Sequence, residues 1–340
     1  MGPSCTNVSR RARPVRSWRV CDGAGVSAGL PEGVLTVVQG EGAAGAAVVD
    51  EVDMVMFTGS TATGRRVAEQ AARRLIPCSL ELGGKDAMIV CEDADLHRAA
   101  RAAAFYALQN AGQICMSIER VYVEEPVHDS FVGHLVEQVR SLRQGHGGAG
   151  EVEVGAMTTA AQLELVSGHV QDALARGAVA VTGGRRGPGP GRFFEPTVLT
   201  GVDHSMLCMT EETFGPTIPV MAVGNREEAV RLANDSPYGL AASVFTSDAR
   251  AGEALARRLE VGSVVINDAL IFFGAPYLPM GGWKQSGIGV RHRIEGLHKY
   301  TRPQSIVVGR DWPVRDPHWF PYRPSVSRTL RQVLRLSARR

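Results

Sequence analysis

A strand, a glycine-bearing turn and a helix follow one another without interruption early in this chain. VDEVDMVMFTGS (49–60) reads as a strand ending in a turn, with Val55, Met56 and Phe57 as its apolar run, and Gly64 to Arg74 has the composition of a helix. Strand, GSTATG turn and helix make half of a βαβ unit. A helix start of this kind offers free N–H groups to a phosphate, so Gly59 and Ser60 are candidate pyrophosphate contacts. The alternative is a structural turn in which Ser60 only caps the helix.

The alternation continues downstream. Helical patterning over Asp95–Asn110 runs into a turn, a short strand covers Arg120–Val123, and an amphipathic helix spans Val127–Arg143. A glycine-rich loop (144–157), a helix (Gln162–Arg176), a strand (Val179–Thr182) and a Gly/Pro/Arg loop (183–192) come next. Asn225, with Glu228 three positions on, is placed to cap a helix reaching Asn234. Strands at Ala242–Phe245 and Ser263–Asn267 enclose another helix. Strands alternating with helices predict an α/β fold.

At 340 residues with 44% apolar side chains, the chain can bury a large core in two lobes. A net charge of +2 creates no global field to recruit nucleic acid or membrane. Six cysteines form no CxxC pair, which points to reduced thiols in a cytoplasmic protein and to no metal site.

Two segments carry candidate chemistry. Glu81 lies in SLELGGKD (79–86) and Cys115 in NAGQICMSIERVYV (110–123), each among small or turn-forming residues where backbone can approach a substrate closely. A thiolate is strongly nucleophilic, and a positioned glutamate can take a proton from the thiol or from an attacking water. Taken singly, such a cysteine is usually a small buried hydrophobe and such a glutamate a solvated charge.

With both segments present in this order, 115 − 81 = 34 residues apart, the chain resembles the aldehyde dehydrogenase superfamily. MFTGSTATGRRVA (56–68) resembles the family's cofactor turn, TEETFGP (210–216) its nicotinamide-ribose segment, LPMGGWKQSGIG (278–289) its late signature, and KYTRPQSIVV (299–308) its C-terminal intersubunit strand. The likeness covers about residues 28–309, and its wording is most similar to the succinate-semialdehyde dehydrogenase type from actinobacteria. The resemblance implies NAD(P)-dependent oxidation of an aldehyde, with succinate semialdehyde a candidate, to the carboxylic acid. Cys115 would form the thiohemiacetal and Glu81 would act as general base. NAD or NADP would meet Gly59 and Ser60 at the pyrophosphate, the backbone of Leu82 and Gly83 at the carboxamide, Glu212 at the nicotinamide ribose and Phe214 beside the ring. Phe272, Phe273 and Met280 would line the aldehyde's entrance. Gln109 stands six before the nucleophile, where some succinate-semialdehyde enzymes carry an arginine; Arg120 is another candidate for a distal carboxylate. Assembly as a homo-oligomer is implied through the strand at 299–308.

The same resemblance implies an incomplete Rossmann-type cofactor domain joined to an α/β catalytic domain. The expected partition is a disordered basic leader (1–25), a dinucleotide-domain remnant (26–82), a catalytic domain (83–275), a return segment with the oligomerisation strand (276–309) and a basic tail (310–340). No Pro-Trp-Asn or later Lys-Pro segment occurs, so an N-terminally shortened member is expected. Two readings stay open, an active aldehyde dehydrogenase and an inactive pseudoenzyme that keeps the catalytic lobe; a third, a cofactor-free cysteine esterase, is disfavoured by the retained 210–216 segment. The tail has eight arginines and no lysine; Val326, Leu330, Val333, Leu334 and Leu336 suggest a basic amphipathic helix. Docking of that helix on its own protein or on a partner subunit is preferred over membrane contact.

Overall fold

The computed structural model describes residues 29, 31, 33–147, 150–309, 319–320 and 323–338. The basic leader expected at 1–25 lies outside them. The chain divides into two compact units, one ending at Tyr300 and one spanning Thr301–Arg340.

The first unit opens with helix α1 (Gly42–Glu51), strand β1 (Val55–Thr58), helix α2 (Thr61–Arg73) and strand β2 (Cys78–Glu81). The strand expected from residue 49 is therefore shorter than predicted. Val49, Asp50 and Glu51 close α1, whose alanines are strong helix formers. Strand β3 (Asp86–Val90) follows, then α3 (Leu96–Leu108), β4 (Ile118–Glu124) and α4 (His128–Arg140). Sequence patterning had not separated β2 or β3. Next come α5 (Ala160–Ala175), β5 (Val179–Thr182), β6 (Thr197–Thr200), β7 (Thr217–Val223), α6 (Arg226–Asn234) and β8 (Tyr238–Gly239). The unit finishes with β9 (Ala241–Phe245), α7 (Ala249–Ala256), β10 (Ser263–Ile266), β11 (Trp283–Lys284), β12 (Gly287–Ile288) and α8 (Arg293–His298).

Helix starts are set by short polar side chains that satisfy N–H groups the helix itself leaves unpaired. Ser60, Asp95, Thr159, Asn225 and Asp248 each accept from a backbone N–H two or three residues on. The Asn225 cap predicted from sequence is made, by the N–H of Glu228 at 3.0 Å.

A seven-stranded sheet runs β10-β9-β3-β4-β7-β6-β5, with every neighbouring pair parallel except β5 and β6. Its central strands β3, β4 and β9 are buried along their whole length. Strands covered on both faces read as continuous apolar runs, as Ala87–Val90 does. A smaller sheet joins β1 and β2 in parallel and adds β12 antiparallel to β2, so the late GIG segment returns to the early GGK segment.

One consequence of this topology governs the rest. In the parallel pair β3–β4, Asp86 stands opposite Ile118, which places the residues just before them, LGGK and ICMS, at the same end of the sheet. Strand β7 pairs with the other side of β4, Val121 opposite Val220, so the 210–216 segment enters at that end too. All three motifs precede neighbouring parallel strands.

In the second unit, 302–309 has no assigned strand, and Ile306, Val307 and Val308 are exposed. Helix α9 (Pro324–Ser337) forms where an amphipathic helix was expected. Its Leu330, Val333, Leu334 and Leu336 are exposed.

Candidate active site

Glu81 ends β2, opposite Thr58 of β1 and Gly287 of β12. Its backbone carbonyl accepts from the Gly59 N–H at 3.1 Å, and the next residue, Leu82, donates to the Ser286 carbonyl at 2.9 Å. Three stretches of chain therefore pin this one residue. Its side chain is only 3% exposed, and among the described residues no group donates to Oε1. Burial raises the carboxyl's pKa, while the positive charges of Arg291 and Lys299 pull it back. The Lys299 ammonium is held nearby through Ser79 Oγ, two residues before Glu81, at 3.1 Å.

Cys115 follows a turn that few sequences tolerate. Asn110, Ala111 and Gly112 take φ values of 53°, 55° and 72° in succession. Left-handed backbone is natural for glycine, acceptable for asparagine and strained for alanine. The strain is offset by reciprocal bonds: Asn110 Nδ2 donates to the Gln113 carbonyl at 3.0 Å, and Gln113 Nε2 donates to the Asn110 carbonyl at 2.9 Å. Ser117 ties the exit to α3 by donating to the Tyr106 carbonyl at 3.1 Å. The thiol is half-buried against an apolar cluster that includes Met116, Leu240, Phe272 and Met280. Burial pushes its pKa up to about 11, and the negative charges of Asp86, Glu212 and Glu81 add to the rise.

Glycine makes the two motifs meet. A Cβ on Gly84 would lie 2.4 Å from the Cys115 carbonyl oxygen and 2.9 Å from Asp86 Oδ1. One on Gly83 would lie 2.2 Å from Glu212 Oε2. The Gly84 N–H donates to Glu212 Oε1 at 3.0 Å. Glu212 is thereby fastened to the strip between Glu81 and β3, and burial, with Glu119 nearby, lifts its carboxyl to about 7. A third close approach joins Gly112 to the Gly215 carbonyl oxygen, 2.1 Å from a notional Cβ.

A buried ion pair lies under the 210–216 segment. Glu119 accepts from the N–H groups of Thr213 and Phe214, both at 2.7 Å, and from Lys85 Nζ at 2.7 Å. Lys85 also donates to Thr213 Oγ1 at 3.1 Å, and Gln162 Nε2 donates to the Thr213 carbonyl at 2.8 Å. These bonds hold Phe214 at φ 49°, a left-handed conformation that costs a bulky residue. Sequence reasoning missed Glu119 and Lys85. Lys85 directly precedes β3 and Glu119 lies in β4, and only the β3–β4 pairing makes them partners.

These observations meet an independent comparison. A model described as the aldehyde dehydrogenase family matches residues 14–306. The chain belongs to the aldehyde dehydrogenase family. It is 44% identical over 319 residues to "Putative succinate-semialdehyde dehydrogenase [NADP(+)] 2" of Mycobacterium ulcerans, covering 92% of this chain and 62% of that protein. It is 45% identical over 301 residues to "4,4'-diapolycopene aldehyde oxidase" of Methylomonas sp, covering 87% of this chain and 55% of that one. Among solved structures, betaine aldehyde dehydrogenase from Staphylococcus aureus in complex with NAD+ matches with a TM-score of 0.81 at 35% identity, over 87% of this chain and 60% of that one. The chain spans 55% to 62% of the length of these relatives.

The structure distributes the remaining candidate residues unevenly. Ser60 Oγ accepts from the Thr63 N–H at 3.3 Å, so it caps α2, and the Gly59 N–H is bound to Glu81. Met280 packs in the apolar cluster beside Cys115. Phe272 is in that cluster, whereas Phe273 points outward, 54% exposed, with its ring 6.4 Å from that of His292. Gln109 ends α3 half-buried, its N–H bonded to the Phe105 carbonyl. Arg120 does not serve as a free cation. It is buried and donates to the carbonyls of Lys85, Leu232 and Ala233 and to the Tyr122 hydroxyl, which leaves its guanidinium occupied.

Proposed function

We propose that this chain oxidises an aldehyde to the carboxylic acid through a thioester on Cys115, with NAD or NADP as hydride acceptor. The observation that carries this reading is the convergence of a nucleophile (Cys115), a buried carboxylate with an unpartnered oxygen (Glu81) and a carboxylate clamped on glycine backbone (Glu212). The names of the relatives, which mention NADP(+) and succinate semialdehyde, support the same class of reaction and make succinate semialdehyde the first substrate to test.

The residues present fit the nicotinamide end of the cofactor. Glu212, pressed onto Gly83, would hold ribose hydroxyls, the backbone of Leu82 and Gly83 would face the carboxamide, and Phe214 would stand beside the ring; Gly59 and Ser60 would lie near the pyrophosphate at the start of α2. The bound cofactor supplies an acceptor for the hydride that leaves the aldehyde carbon.

The protein's own groups do the rest. With a thiol pKa near 11, Cys115 is protonated at neutral pH, so it needs a base to take its proton as sulfur bonds to the carbonyl carbon. Glu81, its affinity for protons raised by burial, fits that task. After the hydride has left, the carbon is held as a thioester. Glu81 releases that first proton to solvent and then takes one from the attacking water. The water oxygen bonds to the acyl carbon, and the carbon–sulfur bond breaks to release the acid and a Cys115 thiolate that recovers a proton from Glu81.

Purified protein should form NAD(P)H from succinate semialdehyde, and Cys115→Ala should abolish it. Glu81→Gln should lower turnover by about 10²–10⁴-fold, the usual worth of a positioned acid–base group. Folded protein that turns over neither this aldehyde nor an apolar one with either cofactor would overturn the reading.

A further inference from the structure

The second unit contains a feature that aldehyde oxidation does not use. Helix α9 has fourteen residues and belongs to the unit Thr301–Arg340. At 3.6 residues per turn, Val326, Leu330, Val333 and Leu334 fall within an arc of about 100°, and Arg328, Arg331 and Arg335 within about 60° on the opposite side. Leu336 flanks the apolar arc. Val326 is half-buried, and the others are exposed: Leu330 by 46%, Val333 by 56%, Leu334 by 66% and Leu336 by 67%. Trp319 and Phe320, just before the helix, are 51% and 75% exposed. No aspartate or glutamate occurs after Asp316, while six arginines lie between Arg323 and Arg340.

From this arrangement we infer that α9 lies on an anionic lipid bilayer, its leucine and valine face in the acyl boundary and its arginines among the phosphates. Charge selects this occupant. A protein groove lined only with apolar residues would leave the opposite arc of arginine unused, and an acid-free polar face repels a second copy of itself. A bilayer surface satisfies both faces at once: apolar area is buried, and each arginine adds electrostatic attraction to anionic headgroups. The aromatic pair before the helix has the residue types enriched at membrane–water interfaces. Among the described residues no helix is long and apolar enough to cross a membrane, so the mode is interfacial. Guanidinium groups also suit phosphate geometry better than ammonium groups do.

The test is sedimentation of the full chain with phosphatidylcholine vesicles, either pure or carrying about 30% phosphatidylglycerol, so that the surface potential alone changes. The expected result is binding at least roughly tenfold tighter to the anionic vesicles, weakened by about 0.5 M salt. Combined Arg328→Gln, Arg331→Gln and Arg335→Gln should remove this preference, at about fivefold per arginine. The combined arginine-to-lysine variant should retain most of it. Leu330→Ser with Leu334→Ser should release the protein from both vesicle types. No binding by the wild type, equal binding of the glutamine variant, or concentration-dependent dimerisation through α9 without vesicle binding would each overturn the proposal. The assay reads sedimentation alone, so it is independent of the proposed aldehyde oxidation.

Discussion

The charge of Glu212 bears on the Cys115 thiol. The thiol is raised to about 11 by burial first, then by Asp86, Glu212 and Glu81. Alkylation requires the thiolate, so iodoacetamide should react slowly at neutral pH and faster as pH rises toward 11. Glu212→Gln removes one of the negative charges that oppose thiolate formation, so it should lower the thiol pKa and increase the alkylation rate at pH 8 by roughly threefold. An unchanged rate would mean that the two groups do not sense each other. Glu81 and Cys115 stood out as candidates because each sits in a short run of small residues. Their environment was not. Neither the unpartnered Oε1 of Glu81 nor the commitment of Arg120 to the carbonyls of Lys85, Leu232 and Ala233 can be read without knowing which strands adjoin.

At the level of elements, loops are held to strands by single carboxylates that each accept several donors. Glu119 on β4 takes the N–H groups of Thr213 and Phe214 and the ammonium of Lys85. Replacing it by glutamine sets an NH₂ against those donors and leaves a buried lysine without its counter-charge. Glu119→Gln should therefore cost about 3–5 kcal/mol, read from the urea midpoint. Asp93, beyond β3, accepts from the Thr246 and Ser247 hydroxyls, the Ser247 and Asp248 N–H groups and Arg226. Burial alone would raise its pKa; these bonds and the Arg226 charge outweigh that and hold it down at about 2, against an ordinary 3.8. A depressed carboxyl stabilises the fold above its unfolded pKa and loses that stabilisation as pH falls through the folded one. Asp93→Ala should lose about 1–3 kcal/mol at neutral pH and should lack the wild type's decline between pH 3.8 and about 2. Helix starts at Asp95 and Asn225 were readable, since capping is local. The early end of α1 was not, because alanine-rich helix and valine-rich strand meet there within a few residues.

Across the whole molecule, the candidate site and the basic tail belong to separate compact units. A chain ending at Tyr300 should keep the unfolding free energy of the full chain, measured in urea, within about 0.5 kcal/mol. A large loss would show that the tail helps to hold the core. The sequence alone determined the α/β class, the chemistry on offer and the amphipathic character of α9, because side-chain periodicity, glycine placement and charge are properties of neighbouring residues. Tertiary structure alone decided that Glu81, Cys115 and Glu212 meet, since they lie 34 and 97 residues apart and come together only through the parallel order of β3, β4 and β7. It also decided that Arg120 is occupied and that Phe272 rather than Phe273 joins the apolar cluster. Each of these depends on which surface lies opposite a side chain, and strand order, not local sequence, sets that.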